Sequence, residues 1–171
     1  MTGKDEGPSD DSRSGLLQAV SEWVRFADVK AGAVLVLVGL LLTDALNQAG
    51  ELQRAHDLPS RWGDASTVLW WVAMLAAASA VVCVSGTLFP RIKAKSTSLV
   101  FFGDIAKHET PESYAKALAR VSFAEETTKQ VWEVSRIAAS KYRLLRWSYL
   151  AAVLFLISYA VARICYWRAL S

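Results

Sequence analysis

The stretch TVLWWVAMLAAASAVVCVSGTLF, residues 67–89, contains 23 residues and no Asp, Glu, Lys or Arg. A helix that crosses the hydrocarbon core of a bilayer, about 30 Å thick, needs about 20 predominantly apolar residues. Pro90 and the basic segment 91–95 follow it, a pattern typical of a span that ends at a membrane surface. Residues 67–90 are therefore predicted to form a transmembrane helix.

Two further apolar stretches flank this one. Apolar residues recur at helical spacing from Leu16 and continue without a proline into AGAVLVLVGLLLTDAL, so residues 15–50 are predicted as an amphipathic helix that runs into a first span. Residues 147–167 form a third span if the side chain of Arg163 extends to the interface. With 53% hydrophobic residues, the chain is predicted to be an all-α polytopic membrane protein, which excludes a soluble enzyme.

The remaining segments are polar. Residues 1–14 are acidic and rich in Gly and Ser, which favours a disordered cytoplasmic tail. In residues 91–146, Thr110 followed by Pro111 predicts a helix start, because a threonine caps the first turn and proline suits the first helical position. No breaker separates the later part of this segment from the third span, so a helical cytoplasmic segment continuous with that span is predicted.

Positive charge predicts the orientation. Residues 91–146 contain 11 Lys and Arg residues, whereas the loop 47–66 contains two. Because loops rich in Lys and Arg stay on the cytoplasmic side, the N-terminus and residues 91–146 are predicted to be cytoplasmic.

The sequence contains no recognisable catalytic motif. The chain contains no P-loop, GxGxxG or GxSxG motif, and its two cysteines and two histidines have no metal-ligand spacing. We therefore assign no catalytic residue, no metal site and no cofactor, and we expect a chain that senses, binds or permeabilises.

Two clusters of residues at the predicted cytoplasmic surface are candidate ligand sites. Arg25, Asp28 and Lys30 precede the first span; they either anchor the helix at the headgroups or form part of a gate or ligand site. Segment 101–105, FFGDI, predicts a turn in which Asp104 either caps a short helix or helps to hold a ligand. In the second case, the aromatic side chains stack a base and the backbone N–H groups hold a phosphate.

The predicted spans also contain polar and small residues that bear on pore lining and helix contact. Asp44 lies among Leu and Ala near the outer end of the first span, where it is either solvated at the interface or lines a pore. Small residues recur every four positions in the second span and permit close helix contact, within one chain or between copies. These are Ala73, Ala76, Ala77 and Ala80.

The order of these clusters is similar to that of the small membrane effectors of Pycsar, a bacterial antiphage system in which a pyrimidine cyclase makes cyclic CMP or cyclic UMP. The resemblance rests on FADVKAG at 26–32, on FFGDIA at 101–106 and on Tyr114. It continues in a helix with Gln130, Ser135, Ile137 and Lys141, and it covers about residues 16–166.

This resemblance implies a non-enzymatic effector of the bacterial inner membrane. A cyclic pyrimidine nucleotide from a cognate cyclase, cyclic UMP or cyclic CMP, would activate it, and membrane damage would abort the infection. Its expected partners are this nucleotide, the lipid bilayer and further copies of itself, with no nucleic acid polymer. The alternative is a membrane anchor or scaffold subunit that docks a soluble partner through its cytoplasmic helices.

The nucleotide-binding residues are our own inference from the position of the motifs. The candidates are Arg25, Asp28, Lys30, Phe102, Gly103, Asp104, Lys141 and Arg143. They combine cations for a phosphate with an aromatic surface for a base.

Overall fold

The computed structural model describes residues 10–57, 60–89 and 105–171, and within these ranges the chain consists of helices joined by short turns. In chain order they are α1 (Asp10–Asn47), α2 (Ala49–Arg54), a 3-10 helix (Ala55–Asp57), α3 (Arg61–Leu88), α4 (Pro111–Leu118) and α5 (Phe123–Leu170). Helices α1, α3 and α5 contain segments long and apolar enough to cross a membrane, Ser14–Asn47, Arg61–Leu88 and Ala124–Leu170. The prediction of an all-α polytopic membrane protein is confirmed.

Polar side chains begin two of these helices. The Oγ1 atom of Thr110 accepts a hydrogen bond of 3.2 Å from the backbone N–H of Ser113, and Pro111 occupies the first turn of α4. The Oγ atom of Ser60 accepts from the N–H of Trp62 at 3.2 Å. Each bond satisfies an N–H group that lacks a partner inside its own helix, and the predicted start of α4 is confirmed.

Helix α5 is continuous over 48 residues. It therefore contains both a polar segment and the third apolar stretch. Helix α1 has 38 residues and begins at Asp10, so residues 10–14 of the segment expected to be disordered are helical. Residues 1–9 of that segment lie outside the described part of the chain.

The described residues belong to two compact units. The first contains residues 10–27 and 105–141, that is, the first part of α1, all of α4 and the first part of α5. The second contains residues 28–57, 60–89 and 142–171, and so the apolar parts of α1 and α5 together with α2 and α3.

In the second unit, α3 and α5 run antiparallel. The Oγ atom of Ser66 donates a hydrogen bond of 2.9 Å to the backbone oxygen of Ala162. Towards the other end, a Cβ atom built on Gly86 would lie 3.4 Å from Cδ1 of Leu144. Residue numbers rise along α3 as they fall along α5, so the helices have opposite directions and lie close together at both of these points.

Small side chains are enclosed in this unit. Ala73, Ala77 and Ala80 have no exposed surface, and Ala76 is 6% exposed. Their burial agrees with the close helix contact that four-residue spacing of small residues permits. Assembly of copies through these four alanines stays a prediction.

Candidate functional site

A hydrogen-bonded carboxylate connects the first and last spans. The hydroxyl of Tyr159 on α5 donates to Oδ2 of Asp44 on α1 at 2.6 Å. Nε2 of Gln48, which lies between α1 and α2, donates to Oδ1 of the same carboxylate at 2.9 Å. Tyr159 is only 7% exposed, whereas Asp44 is exposed. A hydroxyl that donates to a carboxylate forms a charge-assisted bond, which is stronger than a neutral one.

A second polar contact lies one helical turn along α5. Nη1 of Arg163 is 3.9 Å from Oε2 of Glu51 on α2. Helix α2 is in turn held to α3 by a hydrogen bond of 3.1 Å from Oγ1 of Thr67 to the backbone oxygen of Leu52. We call Asp44, Gln48, Glu51, Tyr159 and Arg163 the polar cluster, and it joins the ends of α1 and α2 to α5.

The polar cluster gives Asp44 and Arg163 partners that the sequence did not indicate. Asp44 is exposed and accepts a hydrogen bond from Tyr159 of another helix, so solvation at the interface and a place in a pore both stay open. The side chain of Arg163, 28% exposed, lies beside Glu51 of α2. The sequence feature that could have indicated the polar cluster is the presence of opposite charges, Asp44 and Arg163, in two otherwise apolar helices. No sequence feature singled out Tyr159, because a tyrosine near the end of a span is common.

The predicted nucleotide-binding residues are only partly within the described chain. Phe102, Gly103 and Asp104 lie outside it. Of the others, Arg25 and Arg143 are exposed, Asp28 and Lys30 are half-buried, and Lys141 is buried at 6% exposure.

Helix geometry separates two of these predicted partners. Lys141 and Arg143 are two positions apart on α5, which places them about 200° apart around the helix axis. The buried state of Lys141 and the exposed state of Arg143 agree with this separation. The two side chains therefore lie on different faces of α5, and their roles in nucleotide binding stay predictions.

The sequence analysis assigned no binding role to two polar side chains on the buried face of α5 in the first unit. Thr127 is 1% exposed and Gln130 is 9% exposed. Among the described residues, Oε1 of Gln130 has no hydrogen-bond partner. An unsatisfied buried amide oxygen is costly, so this face is less stable than an apolar one of the same shape.

Comparison with known proteins identifies the family. A family model described as Pycsar effector protein domain matches residues 14–166, a range that includes the polar cluster and most of both compact units. The Pycsar effector protein PtPycTM of Propioniciclava tarda is 31% identical over an alignment of 153 residues, which covers 83% of this chain and 72% of that protein. No solved structure matches the chain. The chain therefore belongs to the Pycsar effector protein family, the membrane effectors of an antiphage defence system.

Proposed function

We propose that this protein is activated by a cyclic pyrimidine nucleotide, cyclic UMP or cyclic CMP, and then impairs the integrity of the bacterial inner membrane. The infected cell would die before the phage matures. The proposal involves no catalytic step and no cofactor other than the activating nucleotide. The observation that supports it most strongly is the family match, which extends through the candidate spans and the polar helical segments alike.

Packing of the spans indicates what activation has to change. Phe155 and Val84 are almost entirely buried within the second unit, and the alanines of α3 are enclosed there as well. A bundle whose interior is filled by side chains has no room for a continuous water path. We therefore propose that damage to the membrane requires several copies, and that the nucleotide favours a conformation other than this one.

The proposed orientation has a direct test. Reporter domains fused at Asp57 and at Lys116 should show opposite behaviour, because residues 47–66 have few basic residues and residues 91–146 have many. We expect alkaline phosphatase activity at Asp57 and green fluorescence at Lys116. Phosphatase activity at Lys116 without activity at Asp57 would contradict a cytoplasmic N-terminus.

The activation proposal is tested by co-expression. The chain is produced in a bacterium that makes no cyclic pyrimidine nucleotides, together with either an active pyrimidine cyclase or a catalytically inactive variant of it. We expect loss of membrane potential, measured with a voltage-sensitive dye, only when both the chain and the active cyclase are present. The chain with the inactive cyclase, and the active cyclase alone, are the matched controls.

Two results would contradict this proposal. Depolarisation that is equally strong with the inactive cyclase would show that no nucleotide is required. An unchanged potential with cyclases for both nucleotides, in cells where the chain is present in the membrane, would favour the alternative of a scaffold subunit.

A further inference from the structure

One residue separates α1 from α2. Helix α1 ends at Asn47 and α2 begins at Ala49, and the backbone of Gln48 between them has φ −99° and ψ 4°, away from the usual helical values. Residues at the end of a helix are common places for a hinge, because their backbone angles can change without breaking a helix in its middle. Gln48 is therefore a point about which α1 can change its direction relative to the helices that follow.

The helices after this hinge are held to one another by enclosed contacts. The hydroxyl of Thr67 on α3 donates to the backbone oxygen of Leu52 on α2 at 3.1 Å, and Leu52 has no exposed surface. Ser66 on α3, which donates to the backbone oxygen of Ala162 on α5, is also fully buried. When an enclosed contact opens, its polar groups lose a partner and gain no water, which is costly. Helices α2, α3 and the apolar part of α5 therefore form one packed group.

Helix α1 is joined to α5 by a contact of another kind. The hydroxyl of Tyr159 on α5 donates at 2.6 Å to the carboxylate of Asp44, which is exposed. Gln48 donates to the other carboxylate oxygen at 2.9 Å, while its own Oε1 is buried without a partner among the described residues. The network is thus only partly satisfied, and water can replace the bonds of an exposed carboxylate. This contact can break and re-form at lower cost than the enclosed ones.

The apolar face of α1 selects only weakly between protein and lipid. The residues buried along this face in the second unit are small or β-branched, namely Ala31, Val34, Val38 and Ala45. Lipid tails are as apolar as these side chains, so their contact with protein instead of lipid gives no hydrophobic gain. A directional hydrogen bond therefore has a large effect on the balance between a docked α1 and one that has moved into lipid.

We propose that the Asp44–Tyr159 contact is a latch that restrains the chain in a closed conformation, an inference that rests on the proposed function above. In this conformation side chains fill the interior of the second unit and leave no water path. Activation breaks the hydrogen bond, and α1 turns about Gln48 away from the packed group of α2, α3 and α5. The nucleotide supplies the free energy that separates the two conformations, so a chain without the latch responds to less nucleotide.

The test varies the amount of nucleotide in the cell. The full chain is expressed in a bacterium that makes no cyclic pyrimidine nucleotides, together with a pyrimidine cyclase under an inducible promoter. Cellular cyclic UMP or cyclic CMP is measured by mass spectrometry, and membrane potential is measured with a voltage-sensitive dye. Tyr159→Phe and Asp44→Ala should reach half-maximal depolarisation at a nucleotide level about 3- to 20-fold lower than the unsubstituted chain, the range expected for one interhelical hydrogen bond in a membrane.

Three variants serve as controls and should need the same nucleotide level as the unsubstituted chain. Tyr149→Phe removes a hydroxyl from α5 at a position that is 43% exposed. Glu51→Gln weakens the contact with Arg163, which lies inside the packed group and does not involve α1. Val84→Ala removes methyl groups from a residue that is 1% exposed, towards the other end of α3 from Ser66. It lowers stability without touching the latch, which thermal unfolding followed by circular dichroism verifies.

Three results would overturn the latch while the proposed function stands. The first is a response of the unsubstituted chain that Tyr159→Phe and Asp44→Ala match at the same nucleotide level. The second is a shift in Val84→Ala as large as that in Tyr159→Phe, because general loss of stability would then explain both. The third is a Tyr159→Phe chain that is present in the membrane but no longer depolarises it, because the contact would then belong to the active conformation.

Two further results decide the proposed function as well. If Tyr159→Phe and Asp44→Ala depolarise cells that contain an inactive cyclase, and the unsubstituted chain responds to neither nucleotide, the latch is supported and activation by these nucleotides is overturned. If none of these chains depolarises the cells with either cyclase, although all are present in the membrane, both the latch and the proposed function are overturned.

Discussion

Replacing Ala77 by Leu should lower the unfolding temperature of the chain markedly, whereas the same change at Ala78 should leave it almost unchanged. Ala77 has no exposed surface, and extra methylene groups in a filled interior cost about 1–3 kcal/mol, occasionally more. Ala78 is the next residue on α3 and is exposed, so a leucine there extends into lipid or solvent. Thermal unfolding of the two purified variants in detergent, followed by circular dichroism, gives the comparison.

Cross-linking in membranes completes this comparison. We expect Ala77→Leu to affect self-association only as far as it unfolds the chain. If Ala77→Leu keeps its thermal stability but no longer forms cross-linked species, the result contradicts a purely within-chain role of the alanine face. It would instead indicate that this face contacts another copy.

A double-mutant cycle on Asp44 and Tyr159 should give a coupling free energy of about 1–2 kcal/mol, towards the upper end for an interhelical hydrogen bond in a membrane protein. The reason is geometric: the hydroxyl of Tyr159, a residue that is 7% exposed, donates to the carboxylate at 2.6 Å, and Asp44→Ala removes this acceptor. Tyr159→Phe removes the hydroxyl itself, and the double variant removes both groups. Unfolding free energies of the four proteins in detergent give the coupling.

Two controls sharpen this cycle. Tyr149→Phe changes a tyrosine of the same helix that is 43% exposed, and its unfolding free energy should be close to that of the unsubstituted chain. Asp44→Asn retains an oxygen acceptor and should lose less stability than Asp44→Ala. A coupling near zero, with Tyr159→Phe and Tyr149→Phe equally stable, would contradict a structural role for the polar cluster.

Much of the fold was predictable because the relevant signals are local. A charge-free stretch such as residues 67–89 satisfies its backbone only as a helix once it lies in a bilayer. The pair Thr110 and Pro111 defines a helix start by chemistry that involves only neighbouring residues. The continuity of α5 likewise followed from the absence of a breaker in its sequence.

The candidate sites were less predictable, because they depend on which side of each helix meets protein. Lys141 and Arg143 look equivalent in the sequence, yet the first is buried and the second exposed. The sequence analysis assigned no role to Trp132. Its exposure, together with the position of Arg136 over its ring, became visible only in the structure.

The sequence by itself determined the number of apolar helices and their approximate limits, since hydropathy adds up along the chain and requires no knowledge of neighbours. The tertiary structure alone decided that α3 packs against α5 through small residues, and that Asp44 has Tyr159 as its partner. The physical reason is that lipid tails are as apolar as the side chains of a span. Hydrophobicity therefore places a helix in the membrane but does not select its contacting face, which shape and hydrogen bonding select.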